Sequence, residues 1–203
     1  MAMRLTFGFV RSLAQQIRNG APADVFFAAN ESFVEDLTRE NLTLRQTQTI
    51  YARGRLATVT LKSTGIRING VSDLTNPKVR RIAIATPQHA PYGLAAKEAL
   101  EAAGLWTTLE PKLVFSESVQ QAVQFVRSGS AEAGLVARSV ADTPDLHWKL
   151  VDDRLHAPLN QMAVVLARTK HPGVSMSFIE FVKGLQGRFV MQQFGFLRPG
   201  ESF

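Results

Sequence analysis

Hydrophobic and polar positions follow strand and helix periods in turn along the chain, most clearly in the segment 81–104. Residues 82–85 form a short apolar run, typical of a strand buried on both faces. A loop stiffened by two prolines follows at 86–93. An alanine-rich helix is predicted over 94–103, with Gly104 as its C-terminal cap. A strand, a loop and a helix start together form a generic anion site, because the first helical amides have no partner in the helix.

Other segments continue this alternation. Strands are predicted at 5–10, 23–28, 55–62, 113–115, 133–136 and 162–167. Helices are predicted at 13–18, at 31–37 and, by i, i+3, i+4, i+7 spacing, between Ser118 and Gly129. The pattern predicts an α/β protein with mostly parallel sheets, in which ligands bind at the carboxyl ends of strands.

A stripe of large apolar residues near the C-terminus predicts a helical face packed into the core. We expect the helix to be interrupted near Gly184 or Gly187. The stripe consists of Phe178, Phe181, Val182, Leu185, Phe189, Val190 and Phe194.

Composition narrows the classes of function. The 203 residues are 45% hydrophobic, which allows one or two domains with a sizeable core. The formal net charge is +6, but there is no run of five like charges, so we expect dispersed solvated cations and no nucleic-acid partner. The chain has no cysteine, no histidine pair with metal-ligand spacing and no G-x-S-x-G motif, which argues against an enzyme, a metal centre and a resident cofactor.

Several ordered blocks resemble one known family. The segment 81–104 carries the residues Pro87, His89, Pro91, Gly93, Ala96, Glu98, Ala99 and Leu100. Further blocks follow the same order and spacing: LAQQI at 13–17, GAPADVF at 20–26, ESVQ at 117–120, AEAGLV at 131–136 and QFGF at 193–196. Together they resemble the periplasmic molybdate-binding proteins, the solute-binding component of molybdate ABC importers, over nearly the whole chain.

The resemblance implies a two-lobed, type II periplasmic-binding fold in which the chain crosses between lobes near Arg55 and near Gln161. Lobe one is then 1–55 together with 163–203, and lobe two is 56–162. The strand at 5–10 matches the family's second strand. A strand-helix unit of about 30 residues therefore has no counterpart here, and the N-terminal lobe is expected to be incomplete.

The resemblance also implies a site for a small oxyanion, molybdate or tungstate, with Gly8 to Ser12 on one side. Val10 stands where the family has a serine ligand, and Ala137 stands where it has a tyrosine donor. Two family contacts are made by main-chain amides, at positions that match Tyr92 and Val119. The predicted ligand-binding residues are therefore Val10, Arg11, Ser12, Tyr92, Gly93, Val119 and Ala137.

Some residues in this region have two interpretations. Arg11 either clamps an oxyanion or a carboxylate bidentately or points to solvent at a helix start. Ser116 and Ser118 either donate to a ligand or cap a helix. His89 either titrates near the ligand or is a structural loop residue.

The sequence therefore predicts an extracytoplasmic solute-binding protein, not an enzyme, that delivers a small anion to the membrane subunit of an ABC importer. The alternatives are a cytoplasmic ligand-sensing domain of the same fold and a degenerate homologue that binds nothing. The resemblance implies a periplasmic location. Residues 1–10 lack the long apolar stretch of a signal peptide, so the cytoplasm is expected instead if Met1 is the true start. Exposed strand edges predict a possible homodimer.

Overall fold

The computed structural model describes residues 3–201, and the chain divides into two compact units. Unit 1 comprises Met1–Tyr51 and Asn160–Gly187, and unit 2 comprises Ala52–Leu159 and Arg188–Phe203. The lobe boundaries expected from the sequence stay a prediction. One difference is that Arg188–Phe203 groups with unit 2, whereas the sequence assigned these residues to lobe one.

The strands and helices alternate along the chain. The strands are β1 (Val25–Ala28), β2 (Thr49–Gly54), β3 (Leu56–Leu61), β4 (Ile82–Ala85), β5 (Leu113–Ser116), β6 (Ala133–Ala137), β7 (Leu146–Leu150) and β8 (Leu159–Val165). The helices are α1 (Val10–Arg18), α2 (Glu31–Arg39), α3 (Pro91–Ala102), α4 (Trp106–Leu109), α5 (Val119–Arg127), α6 (Arg138–Ala141), α7 (Pro172–Lys183) and α8 (Leu185–Gln193). The predicted α/β class is confirmed.

Both sheets contain antiparallel strands. The five-stranded sheet of unit 2 has the order β5-β4-β6-β3-β7, in which β4 is parallel to β5 and β6 while β3 is antiparallel to β6 and β7. The three-stranded sheet has the order β1-β8-β2, with β1 antiparallel to β8. The prediction of mostly parallel strands is therefore wrong for β1, β3, β7 and β8. A buried apolar run shows that both faces of a strand are covered, but it does not encode the direction of the strand.

Unit 2 has a continuous core on its five-stranded sheet. Residues Ala57 and Val59 of β3 and Ala83 of β4 pack against Val123 and Val126 of α5, and all five are 3% exposed or less. The recurrence of apolar residues along α5 explains this contact, because they share one face of the helix.

Unit 1 buries both faces of its short sheet. Phe26 of β1 packs with helices α1 and α2, and Phe27 lies beside Tyr51 and Phe178 on the other face. Successive residues of a strand point to opposite faces, so these two phenylalanines contribute to separate clusters.

The predicted strand at 5–10 is wrong. Residues 3–9 form no helix or strand, and α1 begins at Val10 rather than at Leu13. Leu5, Phe7 and Phe9 are 57%, 87% and 54% exposed. A strand is stabilised by hydrogen bonds to a neighbouring strand, and no described strand pairs with this segment.

The prediction that the C-terminal helical face packs into the core is also wrong in part. The helix is interrupted between Lys183 and Leu185, as predicted. However, Leu185 is 82% exposed and Phe189 is 64% exposed, and α8 has no buried residue. Within α7, the fully buried side chain is Ile179. The apolar period was recognised correctly, and Phe178 packs on Phe27 as expected, but Phe181 of α7 and the large apolar stripe residues of α8 are exposed.

Candidate ligand-binding site

Three parallel strands of unit 2 end at the same edge of the sheet. Because β4, β5 and β6 run in one direction, Ala85, Ser116 and Ala137 mark a common carboxyl edge. Helices α3, α5 and α6 begin directly after these strands. We call this edge, with the first turns of α3 and α5, the anion edge. Helix starts present amide donors and the positive end of the helix dipole, so the edge favours a negatively charged ligand.

Helix α3 begins at Pro91, three residues earlier than the sequence predicted for it. Tyr92 and Gly93 therefore lie in the first helical turn and not in a loop. Proline suits this first position, because the amide it lacks would have no partner in the helix. The N-cap residue is Ala90, and it has no side-chain oxygen to accept the first amides. Tyr92 is 8% exposed, so the helix start is largely covered by protein.

The hydroxyl groups at this edge serve the structure. The amide and the hydroxyl of Thr86 both donate to the carbonyl of Ser116, at 2.8 and 2.9 Å. The Ser116 hydroxyl lies 3.1 Å from the carbonyl of Ile84 and 2.9 Å from that of Ser118. The Ser118 hydroxyl accepts the amide of Gln121 at 3.2 Å and caps α5. The interpretation of Ser118 as a helix cap is confirmed.

The start of α5 leaves two amides directed away from the helix body. Its first two residues are Val119 and Gln120, and the amides at these positions have no acceptor inside a helix. The Gln121 side chain instead reaches back and accepts the amide of Glu117 at 2.7 Å. Val119 is the position at which the sequence predicted a main-chain contact to the ligand.

Arg138 follows Ala137 at the end of β6 and lies outside the set of residues predicted from the sequence. Its amide donates to the carbonyl of Arg55 at 2.8 Å. Its guanidinium lies over the ring of Trp148 at 4.0 Å, and Nη2 donates to Asp142 at 2.9 Å. The side chain is 13% exposed, and Nη1 is buried with no acceptor among residues 3–201. Adjacency to Ala137 was the signal that could have identified it.

A buried arginine, Arg55, is linked to Arg138 through the backbone. Arg55 precedes β3, its side chain is 6% exposed, and its Nε lies 3.1 Å from Oδ1 of Asp153. Since Leu56 pairs with Ala137, Arg55 and Arg138 continue the same antiparallel register. Two guanidinium groups therefore originate at one corner of the anion edge.

The remaining predicted residues lie in unit 1. Val10, Arg11 and Ser12 form the first turn of α1, which has Phe9 as N-cap and no side-chain cap. Val10 is partly buried, while Arg11 and Ser12 are exposed. The structure thus brings together Tyr92, Gly93, Val119 and Ala137 in unit 2 and, separately, Val10, Arg11 and Ser12 in unit 1. Their role as ligands stays a prediction.

Residues 3–201 contain neither a candidate metal centre nor a candidate membrane-spanning helix. No group of three or more histidine, aspartate or glutamate side chains is arranged to hold a metal ion. None of the described helices has the length and apolar character needed to cross a bilayer.

Comparison with known sequences identifies relatives along the whole chain. The profile of a family described as bacterial extracellular solute-binding proteins matches residues 2–197. The molybdate-binding protein of Azotobacter vinelandii is 33% identical over 196 residues, which cover 94% of this chain and 77% of that protein. The molybdate-binding protein of Rhodobacter capsulatus is 30% identical over 193 residues, which cover 94% of this chain and 75% of that protein.

Solved structures agree with this relationship. The periplasmic molybdate-binding protein of Azotobacter vinelandii superimposes with a TM-score of 0.84 at 30% identity, covering 94% of this chain and 84% of that one. The substrate-binding domain of a putative molybdenum ABC transporter from Clostridium difficile gives 0.81 at 28% identity, covering 97% and 86%. The predicted periplasmic-binding-protein-like fold is confirmed. The chain therefore belongs to the family of bacterial extracellular solute-binding proteins that includes the molybdate-binding proteins of ABC transporters.

Proposed function

We propose that this chain is an extracytoplasmic solute-binding protein that binds a small oxyanion of the molybdate or tungstate type and delivers it to an ABC importer. Family membership supports the solute-binding role. The choice of an oxyanion as the ligand is supported by the anion edge, where α3 and α5 both begin directly after neighbouring parallel strands. We further propose that the protein is located in the periplasm, has no enzymatic activity and holds no resident cofactor.

The binding chemistry rests on main-chain donors. A bound oxyanion loses its water shell, so several converging donors must replace it. The amides of Gly93, Val119 and Gln120 supply such donors, and both helix dipoles favour negative charge. The hydroxyls of Thr86, Ser116 and Ser118 already make bonds within the protein. Recognition at this edge therefore depends little on hydroxyl side chains.

We extend the proposal to the first turn of α1. Val10, Arg11 and Ser12 lie at a helix start whose N-cap has no capping side chain, and Arg11 adds a guanidinium able to contact an oxyanion. The partners follow from the family: the membrane subunit of an ABC importer and the anion itself. A homodimer is also part of the proposal, because the apolar side chains of Phe7 and Phe189 are largely exposed.

The first test is thermal unfolding with and without millimolar molybdate, tungstate and sulfate, followed by titration calorimetry. A ligand at about 100 times its dissociation constant stabilises the folded state by ~2.7 kcal/mol if it binds only that state. We expect a higher midpoint with molybdate or tungstate. No heat and no shift with any oxyanion would overturn the proposed ligand class.

A backbone variant tests the amide of Val119 directly. Val119→Pro removes the amide at the first helical position, where proline is tolerated. Ser118 has the extended conformation that a residue before proline requires, with φ −150° and ψ 162°. We expect an unchanged unfolding midpoint and a loss of anion affinity. Val119→Ala is the matched control, because it shortens the side chain and keeps the amide. Equal affinity in the two variants would show that this amide does not contact the ligand.

A further inference from the structure

We propose that Arg138 gives the anion edge a positive charge and makes it select anions of charge −2 over anions of the same shape with charge −1. This inference rests on the proposed function and concerns the same site. It adds a residue that determines specificity and that lies outside the set predicted from the sequence.

The first support is the position of Arg138. It is the first residue after β6, and β6 is parallel to β4, whose following helix begins at Pro91. The short helix α6 that starts at Arg138 also packs against α5. The backbone of Arg138 is fixed here by its hydrogen bond to Arg55. A charge on this residue therefore originates at the anion edge and not at the opposite end of the sheet.

The second support is burial. One face of the guanidinium is covered by the ring of Trp148 at 4.0 Å. On another side, a Cβ placed on Gly195 would lie only 2.4 Å from Cγ of Arg138, so the backbone of the C-terminal segment is packed against this side chain. Surrounding water is replaced by protein, which weakens screening and extends the reach of the charge.

The third support is incomplete neutralisation. The carboxylate partner of Arg138 is Asp142, whose side chain is 53% exposed and is therefore well screened by solvent. Nη1 of Arg138 is buried and has no acceptor in the described part of the chain. Arg55, whose carbonyl accepts the amide of Arg138, does not compensate this charge and does not add to it, because its own guanidinium is paired with Asp153 at 3.1 Å. A bound anion of charge −2 compensates the remaining positive charge of Arg138 more fully than an anion of charge −1 does.

A comparison of tungstate with perrhenate distinguishes the effect of ligand charge from the effect of ligand shape. Both are tetrahedral oxyanions of similar size, with charges of −2 and −1. Titration calorimetry on the full chain at low ionic strength gives the ratio of their affinities. We expect Arg138→Gln to lower the affinity for tungstate about tenfold more than the affinity for perrhenate. The matched control is Arg127→Gln, which also breaks an ion pair of unit 2, to Asp145 at 2.9 Å, but lies in the last turn of α5. The control should leave the ratio unchanged.

A second variant remains informative if Arg138→Gln does not fold. Asp142→Asn keeps Arg138 and removes its partial neutralisation, so we expect the preference for tungstate to increase. If Arg138 served only to hold Trp148 and the C-terminal segment, Asp142→Asn would lower stability and leave the ratio unchanged. An unchanged ratio in either folded variant overturns the inference. Absence of anion binding in the unsubstituted chain would overturn the proposed function and this inference together.

Discussion

A Cβ atom placed on Gly93 would lie 2.2 Å from the carbonyl oxygen of Ala85. Gly93 is in the first turn of α3, and Ala85 is the last residue of β4. Only a residue without a side chain allows the helix start to approach the strand end so closely. This contact holds the amides of the first turn of α3 at the anion edge.

The close approach predicts that Gly93→Ala is strongly destabilising. Backbone atoms must shift to admit the methyl group, which costs about 2–4 kcal/mol. Denaturant unfolding measures the loss. Gly173→Ala is the control: Gly173 is in the first turn of α7, and nothing lies within 4 Å of a Cβ placed there. Alanine at that position should be neutral or slightly stabilising. Equal effects of the two substitutions would show that Gly93 has no steric role.

The cap of α5 predicts a moderate loss of stability in Ser118→Ala. The Ser118 hydroxyl accepts the amide of Gln121, and the loss of an N-cap costs about 1 kcal/mol. The exposed Ser63 gives a control, since Ser63→Ala removes a hydroxyl outside any cap recorded for a helix. Chemical denaturation compares the two variants. Anion affinity should persist in Ser118→Ala, because the main-chain donors remain; a complete loss would indicate that the hydroxyl itself binds the ligand.

We expect the same substitution at two neighbouring aspartates to change the free energy of unfolding by different amounts. Asp153 pairs with Arg55, whose side chain is 6% exposed, whereas Asp152 pairs with Arg154, whose side chain is 88% exposed. Asp153→Asn weakens the pairing of a buried cation and should cost about 1–3 kcal/mol. Asp152→Asn affects an exposed pair, and asparagine still caps the amide of Arg154, so its effect on the free energy of unfolding should be much smaller than that of Asp153→Asn. The free energies of unfolding at pH 7 decide this comparison.

Because the phenol of Tyr51 is largely buried, we expect the protein to lose stability at alkaline pH. Burial raises the pKa of Tyr51 to about 12, compared with about 10 in an unfolded chain. The unfolded state therefore releases the phenol proton first, and stability falls as the pH rises from about 10 to about 12. The largest possible loss from this group is about 2–3 kcal/mol. Tyr51→Phe should match the original protein at pH 8 and lose less stability above pH 10. If the free energy of unfolding depended on pH in the same way in both proteins, the raised pKa of Tyr51 would be contradicted.

We expect truncation of two apolar residues in the C-terminal helices to affect stability very differently. Ile179 is fully buried in α7, so Ile179→Ala should cost about 2–5 kcal/mol. Phe189 in α8 is 64% exposed, so Phe189→Ala should change the free energy of unfolding by less than about 1 kcal/mol. Measurements at low protein concentration avoid any contribution from self-association. Similar losses in both variants would show that Phe189 packs in the core after all.

Local features of unit 2 were predictable from the sequence. The buried strand β4, the cap at Ser118 and the apolar face of α5 each follow from neighbouring residues in the chain. The break between α7 and α8 at Gly184 was predictable for the same reason. The family resemblance, drawn from ordered blocks, predicted ligand contacts at Tyr92, Val119 and Ala137, which lie at or directly after the ends of parallel strands. Their role in anion binding stays a prediction.

Other features depended on contacts between distant segments. Phe7 lies in a run with strand character, but a strand forms only where another strand accepts its hydrogen bonds, and no described strand pairs with 3–9. Strand direction, which made β3 antiparallel, is not encoded in an apolar run. The start of α3 at Pro91 rather than at Leu94 depends on the close packing of Gly93 against Ala85.

The sequence by itself determined the class of fold, the family and the cap of α5 at Ser118, because periodicity, caps and motif blocks are properties of the chain. Only the tertiary structure showed that the edge hydroxyls are already bonded, that Phe189 of the apolar stripe is exposed and that the guanidinium of Arg138 lies over Trp148. Burial and pairing are properties of two segments at once, so neither segment reveals them before the chain is folded.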